Sequence, residues 1–228
     1  MIGLLLLIML ALATPVRQEI QRETVTPNSW QASLLCSAGS NNKAQTSGIR
    51  GPDGRIFVLA ITSDDDHSKD SHQCESAYSL LVTLPGEPVH TVSLGGGTVD
   101  RHGRRIEIRA EGFSPDGGRF FGLACENGVA VTSESGKKPY QRRGVNATLI
   151  EYQIGSGQIS TFALSRLIPY PLGCGAEVVR VVGVTATGEA VLVLNGEKSA
   201  HRWAIHPESK YVRPFPKDMI FLPLNRTH

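Results

Sequence analysis

The residues with the clearest potential for chemistry form an acidic loop between two apolar stretches. Asp64, Asp66, Asp70 and Glu75 occupy positions 1, 3, 7 and 12 of a twelve-residue window. This is the ligand spacing of an EF-hand calcium loop, in which position 12 supplies a bidentate carboxylate. The pattern therefore predicts these four residues as the ligands of a Ca²⁺ ion, if the loop holds a metal at all.

Three departures from the calcium pattern favour a solvated connection instead. The glycine required at the sixth position is Lys69, the eighth position is Ser71, and the flanking sequence has the character of strands rather than helices. His67 and His72 are imidazole ligands suited to zinc, but no spacing supplies the remaining ligands of a zinc site. We predict that the loop binds no metal and keep Ca²⁺ as the alternative.

No catalytic or cofactor-binding motif stands out in the chain. Ser114 lies in a turn that lacks the second glycine of a nucleophile elbow. Gly95-Gly96-Gly97 follows a strand but precedes no helix, so it does not form a phosphate-binding loop. Four glutamates lie in alternating strand patterns that predict surface positions: Glu107, Glu111, Glu151 and Glu177. We predict no catalytic residue, and the sequence favours a protein that is not an enzyme.

Two basic patches belong to turns or loops and lack interleaved aromatic residues for base stacking. The first contains Arg101, Arg104, Arg105 and Arg109, and the second contains Lys137, Lys138, Arg142 and Arg143. The net charge is only +2, with acidic and basic residues mixed along the chain. We therefore predict solvated patches and no nucleic-acid partner.

The elements that must position these residues are three turn–strand units. The central unit, residues 112–127, starts with the turn Ser114-Pro115-Asp116-Gly117 and continues as an apolar strand. Pro presets the backbone angle of a β-turn, Asp bonds its own backbone, and Gly accepts positive φ. Weaker copies occupy residues 51–60 and 184–194. The 24 glycines and 13 prolines fit many short strands, so we predict an all-β fold.

The central unit resembles a blade of the TolB-like, or WD-repeat-type, β-propellers. The resemblance rests on S-P-D-G-G-R-F-F-G-L-A followed by A-T-L-I-E-Y-Q-I-G-S-G-Q-I-S-T-F-A-L. It covers residues 113–164 best, extends to 51–94, and is weakest in 184–213, where Thr187 replaces the turn aspartate. It implies a propeller-like array of short antiparallel sheets and a role in protein–protein contact. Three units are fewer than the four blades of a propeller, so a disulfide-stapled β-sandwich is the alternative.

Residues 1–13 have the length and apolar character of a signal-peptide core, and Ala11-Leu12-Ala13 offers a cleavage site. We predict a secreted or periplasmic protein with no stable membrane insertion after cleavage. A loose segment follows at 14–30, and then one all-β domain at 31–228 with repeat units near 49–96, 112–168 and 178–216. In an exported chain, an even number of cysteines points to disulfides. The four cysteines allow three connectivities, and among them we favour Cys36 with Cys74 and Cys125 with Cys174, because neighbours along a meandering sheet are usually neighbours in space.

Two functions follow from these patterns. The first is an exported interaction module that binds a protein, peptide or glycan through loops at one end of its sheets. The second is a small secreted hydrolase whose acidic loop, residues 64–75, holds a metal near the active site. The first is favoured because turn and strand signals recur along the chain while catalytic motifs do not.

Overall fold

The computed structural model is an all-β protein built from three antiparallel sheets. Within the described part of the chain, no sheet closes into a barrel. The structure describes residues 30–35, 42–64, 73–100, 105–127, 145–164, 167, 179–195 and 200–226. The predicted signal peptide at 1–13, the segment 14–29 and the second basic patch, from Lys137 to Arg143, lie outside these residues.

Each sheet is named here by its place in the chain. The N-terminal sheet contains β2 (Asn42–Gln45), β3 (Ile49–Arg50), β4 (Ile56–Asp64), β5 (Gln73–Thr83) and β6 (His90–Asp100). The central sheet contains β1 (Gln31–Leu35), β7 (Arg105–Phe113), β8 (Arg119–Asn127), β9 (Val145–Gln153) and β10 (Ile159–Ala163). The C-terminal sheet contains β11 (Val179–Val184), β12 (Ala190–Asn195), β13 (Ala200–His206), β14 (Tyr211–Pro214) and β15 (Leu222–Pro223).

The central sheet is covered on both faces, because each of its faces contributes to a separate apolar cluster. One face packs against the N-terminal sheet, where the Phe57 and Phe120 rings stack with centroids 5.1 Å apart. The other face packs against the C-terminal sheet and buries Phe121 and Leu123 of β8. Successive side chains of a strand point to opposite faces, so β8 supplies large apolar residues to both clusters. The molecule is therefore a stack of three layers.

The three predicted turn–strand units are confirmed as interior strands of three different sheets. The strand after each predicted turn is β4, β8 or β12, and each has a neighbouring strand on both sides. Apolar and β-branched residues dominate these strands because both of their faces are covered, as in β12 with its sequence Ala-Val-Leu-Val-Leu-Asn. The short strand predicted near Gln31 is also confirmed, as β1.

Two predictions around the glycine triplet are wrong. Gly95-Gly96-Gly97 does not end a strand, since β6 runs through it with a register shift opposite Tyr78 and Ser79. Gly95 has a φ of 102°, and a Cβ on Gly96 would collide with the carbonyl oxygen of Ser76. The sequence Asp100-Arg101-His102-Gly103 also predicts the turn of a hairpin over 98–110, and this is wrong because β6 and β7 belong to different sheets. The chain crosses from one layer to the next at this point.

The solvated face predicted for β7 is also wrong. Glu107, Arg109 and Glu111 are all buried, because the C-terminal sheet covers the side of β7 that carries them. Arg109 Nη2 donates to the carbonyl oxygen of Val179 at 2.6 Å and lies 3.5 Å from Glu111 Oε1. Burial raises the pKa of Glu111, and the nearby arginines 109, 226 and 180 offset part of that rise. Alternation in sequence was read as exposure, although a second layer covers the charged side.

The C-terminal tail joins the outer sheet to the central one. Phe215 is buried on the outer face of the C-terminal sheet, and β15 adds to the edge of β11, as expected of a proline-containing strand. Asn225 then exchanges two backbone hydrogen bonds with Phe113, at 2.8 and 2.9 Å. The Arg226 guanidinium lies over the Trp30 ring, 5.9 Å from its centroid. The first and last described parts of the chain therefore meet beside β7.

Candidate functional site

Three turns of one hydrogen-bonding type lie at one end of the stack. They span residues 51–55, 114–119 and 185–189, and in each the first N–H donates to the last carbonyl, at 2.7 to 2.9 Å. Each turn carries one glycine at positive φ, between 70° and 87°: Gly54, Gly117 and Gly188. A side chain is strained at such angles, which explains why all three units keep glycine there. The common geometry supports the reading of the three units as repeats.

The residue that follows the glycine-containing turn reaches across to the next sheet in two of the three units. Arg55 Nη1 donates to the Ile154 carbonyl of the central sheet at 2.8 Å. Arg119 Nη1 donates to the Gly188 carbonyl of the C-terminal sheet. These bonds hold the turn ends of adjacent layers together. The surface formed by the turns is therefore tied down on both sides of the central sheet.

A cleft of about 440 Å³ opens at this end, between the central and C-terminal sheets. Four turns contribute to its wall, two from each sheet, and the wall is rich in polar and charged groups. We call it the turn-end cleft. It is lined by residues of 116–119, 153–156, 187–188 and 206–208, together with Glu151.

Arg119 and Glu151 form the charged centre of the turn-end cleft. Arg119 Nη1 lies 3.3 Å from Glu151 Oε1, and the Glu151 side chain is only 7% exposed. Burial raises the pKa of Glu151. The nearby side chains of Arg119 and His206 offset part of this rise, whereas the Glu208 carboxylate adds to it. The Arg119 guanidinium also lies 5.5 Å from the centroid of the Phe121 ring, so it is held on three sides. The prediction that Glu151 is a surface residue is wrong, because this cleft wall encloses it.

Asp116 presents a second carboxylate with the opposite pKa shift. The Ser114 hydroxyl donates to its Oδ1, and the Gly118 N–H donates to the same atom at 3.0 Å. These bonds, with that from Ser114 contributing most, lower the pKa of Asp116. The cleft therefore combines a carboxylate that stays ionised with one that holds its proton more readily.

His206 enters the cleft wall from the β13–β14 turn. Its Nδ1 accepts a hydrogen bond from the Ser209 backbone N–H at 3.3 Å. The turn therefore fixes the orientation of the ring.

Two of the predicted metal ligands, Asp64 and Glu75, lie at the end of β4 away from the turn at 51–55. Asp64 and Glu75 are Cα partners at the end of the β4–β5 ladder, where the acidic loop begins and ends. Asp66 and Asp70 fall outside the described residues. Among the described residues, no three His, Cys, Asp or Glu side chains form a group that could hold a metal ion. The calcium site stays a prediction.

The cysteine pairing also stays a prediction. Cys125 is buried and disulfide-bonded, but no disulfide joins two side chains that the structure describes. Cys36, Cys174 and the side chain of Cys74 lie outside the described part.

Sequence reasoning did not find the turn-end cleft. Its four turns are separated by up to about ninety positions in the chain, and none carries a catalytic motif. One signal was available: the charged residue directly after each turn glycine or glycine pair, which is Arg55, Arg119 or Glu189. Two of these residues, Arg55 and Arg119, donate to carbonyl oxygens of a neighbouring sheet, whereas Glu189 pairs with Arg213 of its own sheet.

Comparison of the chain with family models, with curated proteins and with solved structures finds no match. Over the residues that the structure covers, no helix is long and apolar enough to cross a membrane.

Proposed function

We propose that this protein is an interaction module that binds a peptide segment of a partner protein in the turn-end cleft. One observation carries the proposal: four turns from two different sheets converge on a single polar cleft of about 440 Å³. Binding residues are often found on loops that a rigid scaffold positions. Here the scaffold is the three-layer stack.

The charges of the cleft favour a cationic group on the ligand. Asp116, Glu151 and Glu208 contribute three carboxylates to the wall, and Arg119 contributes one guanidinium. Arg119 is already engaged by Glu151 and by the Gly188 carbonyl, so it has little left to offer an anion. Carboxylates form charge-assisted hydrogen bonds with lysine and arginine side chains. A basic peptide segment therefore fits this site better than an acidic peptide or an uncharged glycan.

The cleft needs little reorganisation before it binds. Its walls are closed by backbone hydrogen bonds within the turns, and Asp116, Arg119 and His206 are each fixed by a partner of their own. A site that is ordered in advance loses less conformational entropy on binding. The conformational entropy lost on binding is then mainly that of the ligand.

The test uses dye-labelled capped peptides of sequence Gly-Ser-X-Ser-Gly, where X is lysine, arginine, norleucine or glutamate, and measures fluorescence anisotropy. We expect the lysine and arginine peptides to bind more tightly than the other two, and added salt to weaken them. Glu208→Gln removes one exposed carboxylate of the cleft and should weaken lysine-peptide binding about fivefold. Glu87→Gln removes a carboxylate from the exposed β5–β6 turn of the N-terminal sheet and should leave binding unchanged.

Two results would contradict the proposal. If no peptide binds at millimolar concentration, the turn-end cleft is not a peptide site. If the norleucine peptide binds as tightly as the lysine peptide, the cleft binds peptides but the assignment of a cationic ligand is wrong.

The overall architecture we propose is a propeller-like array of face-to-face sheets. The shared turn geometry of the three units and the arginines that link adjacent layers support this arrangement. We also propose export from the cell, with the mature chain starting near Thr14. N-terminal sequencing of the native protein tests export, and a chain that retains Met1 would contradict it.

The alternative function is a metal-assisted hydrolase that uses the acidic loop. It is supported by the register of the β4–β5 ladder, which places Asp64 directly opposite Glu75. Asp64 and Glu75 lie at the far end of the β4–β5 ladder, whereas the turn at 51–55, which precedes the other end of β4, is bonded to the cleft side of the central sheet through Arg55 and Ile154. The two functions are therefore separable by experiment.

A further inference from the structure

A second interaction surface lies along β6, the outer strand of the N-terminal sheet. The strand has eleven residues, His90–Asp100, and within the described residues no strand pairs with its outer edge. Edge strands of this length expose a row of backbone N–H and C=O groups, and natural proteins usually block them with lysine, proline or a covering loop. Between its two terminal residues β6 contains no proline and no charged residue.

A cavity of about 240 Å³ lies beside this edge, between the N-terminal and central sheets. It exists because Gly95 and Gly96 carry no side chains where β6 crosses the central sheet, while Val92 and Leu94 pack against that sheet. The facing wall is also made of small residues, including Ala124 and Thr148. The glycines cannot be replaced easily, given the positive φ of Gly95 and the approach of Gly96 to the Ser76 carbonyl.

We propose that the outer edge of β6 accepts an extended peptide segment of a partner protein, which adds as a further strand and places an aliphatic side chain in the cavity. Strand addition obtains affinity from main-chain hydrogen bonds and specificity from pockets that take alternate side chains. Here the open edge of β6 supplies the main-chain hydrogen bonds, and the cavity at Gly95 and Gly96 supplies a pocket for one side chain.

The cavity argues for a foreign peptide rather than a second copy of this chain. A symmetric antiparallel pair of β6 edges centred on Gly95 and Gly96 would present glycines, and no side chain, to the cavity of each copy. Such a symmetric pair would leave both cavities empty, whereas a peptide with valine, leucine or isoleucine fills one. The register shift at Tyr78/Ser79 also disturbs the regular edge that a long symmetric pairing needs.

The test uses dye-labelled peptides Thr-X-Thr-X-Thr-Ser-Ser, where X is valine, isoleucine, leucine, methionine or phenylalanine, with the full-length protein; the peptides carry no lysine or arginine that would bind in the turn-end cleft. We expect at least one aliphatic peptide to bind. Its N-methylated form, which cannot donate backbone hydrogen bonds, should have a Kd at least about tenfold higher. Ala124→Leu fills the cavity from the central sheet and should weaken binding about tenfold. The control Thr62→Leu adds the same side chain at an exposed position of β4, away from the cavity.

Three outcomes would overturn the proposal. The first is no binding of any of these peptides at millimolar concentration. The second is equal binding to the wild type and to Ala124→Leu, with both shown to be folded by circular dichroism. The third is a concentration-dependent dimer that the aliphatic peptides do not dissociate, which would assign the β6 edge to a second copy. This site is distinct from the turn-end cleft, and Glu208→Gln should not affect it.

Discussion

The ion pair between Glu189 and Arg213 gives a pH-dependent stability that the structure allows us to estimate. Arg213 Nε and Nη2 donate to the two carboxylate oxygens of Glu189 at 2.9 and 2.6 Å. The hydroxyls of Thr185 and Thr187 donate to Oε2 at 3.1 and 3.0 Å. These bonds, with those from Arg213 contributing most, lower the pKa of Glu189 from 4.5 to about 2. The ionised carboxylate is therefore favoured in the folded protein.

Because the pKa of Glu189 is lower in the folded state than its ordinary value of 4.5, the ionised carboxylate stabilises the folded protein above pH 4.5. This contribution is lost as the pH falls through about 2. The upper bound is about 3.4 kcal/mol, at about 1.36 kcal/mol for each pKa unit. Arg213 is 32% exposed, so solvent screens the pair and we expect about 1–2 kcal/mol. The buried Glu111 and Glu151 have raised pKa values, so their contribution to stability is present below pH 4.5 and is lost as the pH rises above it. It therefore does not overlap with the loss of the Glu189 contribution between pH 4.5 and about 2.

The perturbation is Glu189→Gln, and the assay is urea unfolding at several pH values between 6 and 2. We expect the variant to be less stable than the wild type above pH 4.5, and the difference to shrink by about 1–2 kcal/mol as the pH approaches 2. Glu87→Gln, in the exposed β5–β6 turn, serves as control and should follow the wild type throughout. If the wild-type and Glu189→Gln curves stay parallel from pH 5 to pH 2, the ion pair does not stabilise the fold.

Three further predictions concern the core, the acidic loop and the cysteines. Phe121→Ala should lower the free energy of unfolding by about 3–5 kcal/mol because the ring is fully buried, whereas Ile220→Ala, at a residue 88% exposed, should change it little. Millimolar Ca²⁺ or Zn²⁺ should leave the melting temperature unchanged; a saturable rise that Asp64→Asn with Glu75→Gln abolishes would instead establish the metal site. Thiol titration of the unfolded, unreduced protein should detect no free cysteine, and two or more reactive thiols would refute the predicted disulfides.

Local sequence was sufficient to predict the three turn–strand units. The turn at 114–119 depends on Ser114, Asp116 and Gly117, which interact within a few positions of one another, so their types alone predict its geometry. The apolar runs that follow the three turns likewise predicted interior strands, because a strand covered on both faces needs apolar residues at every position. The all-β class and the three units followed from such short-range relations.

The layering of the sheets was decided only by the tertiary structure. The alternating charges of β7 predict one solvated face, but the C-terminal sheet covers that face, and Arg109 Nη2 lies 3.5 Å from Glu111 Oε1 there. In the same way, Glu151 lies in a cleft wall because a turn of another sheet, with His206, stands beside it. Periodicity records which residues share a face of a strand. Whether water or another sheet meets that face depends on contacts between residues far apart in the chain, for which no local pattern carries a signal.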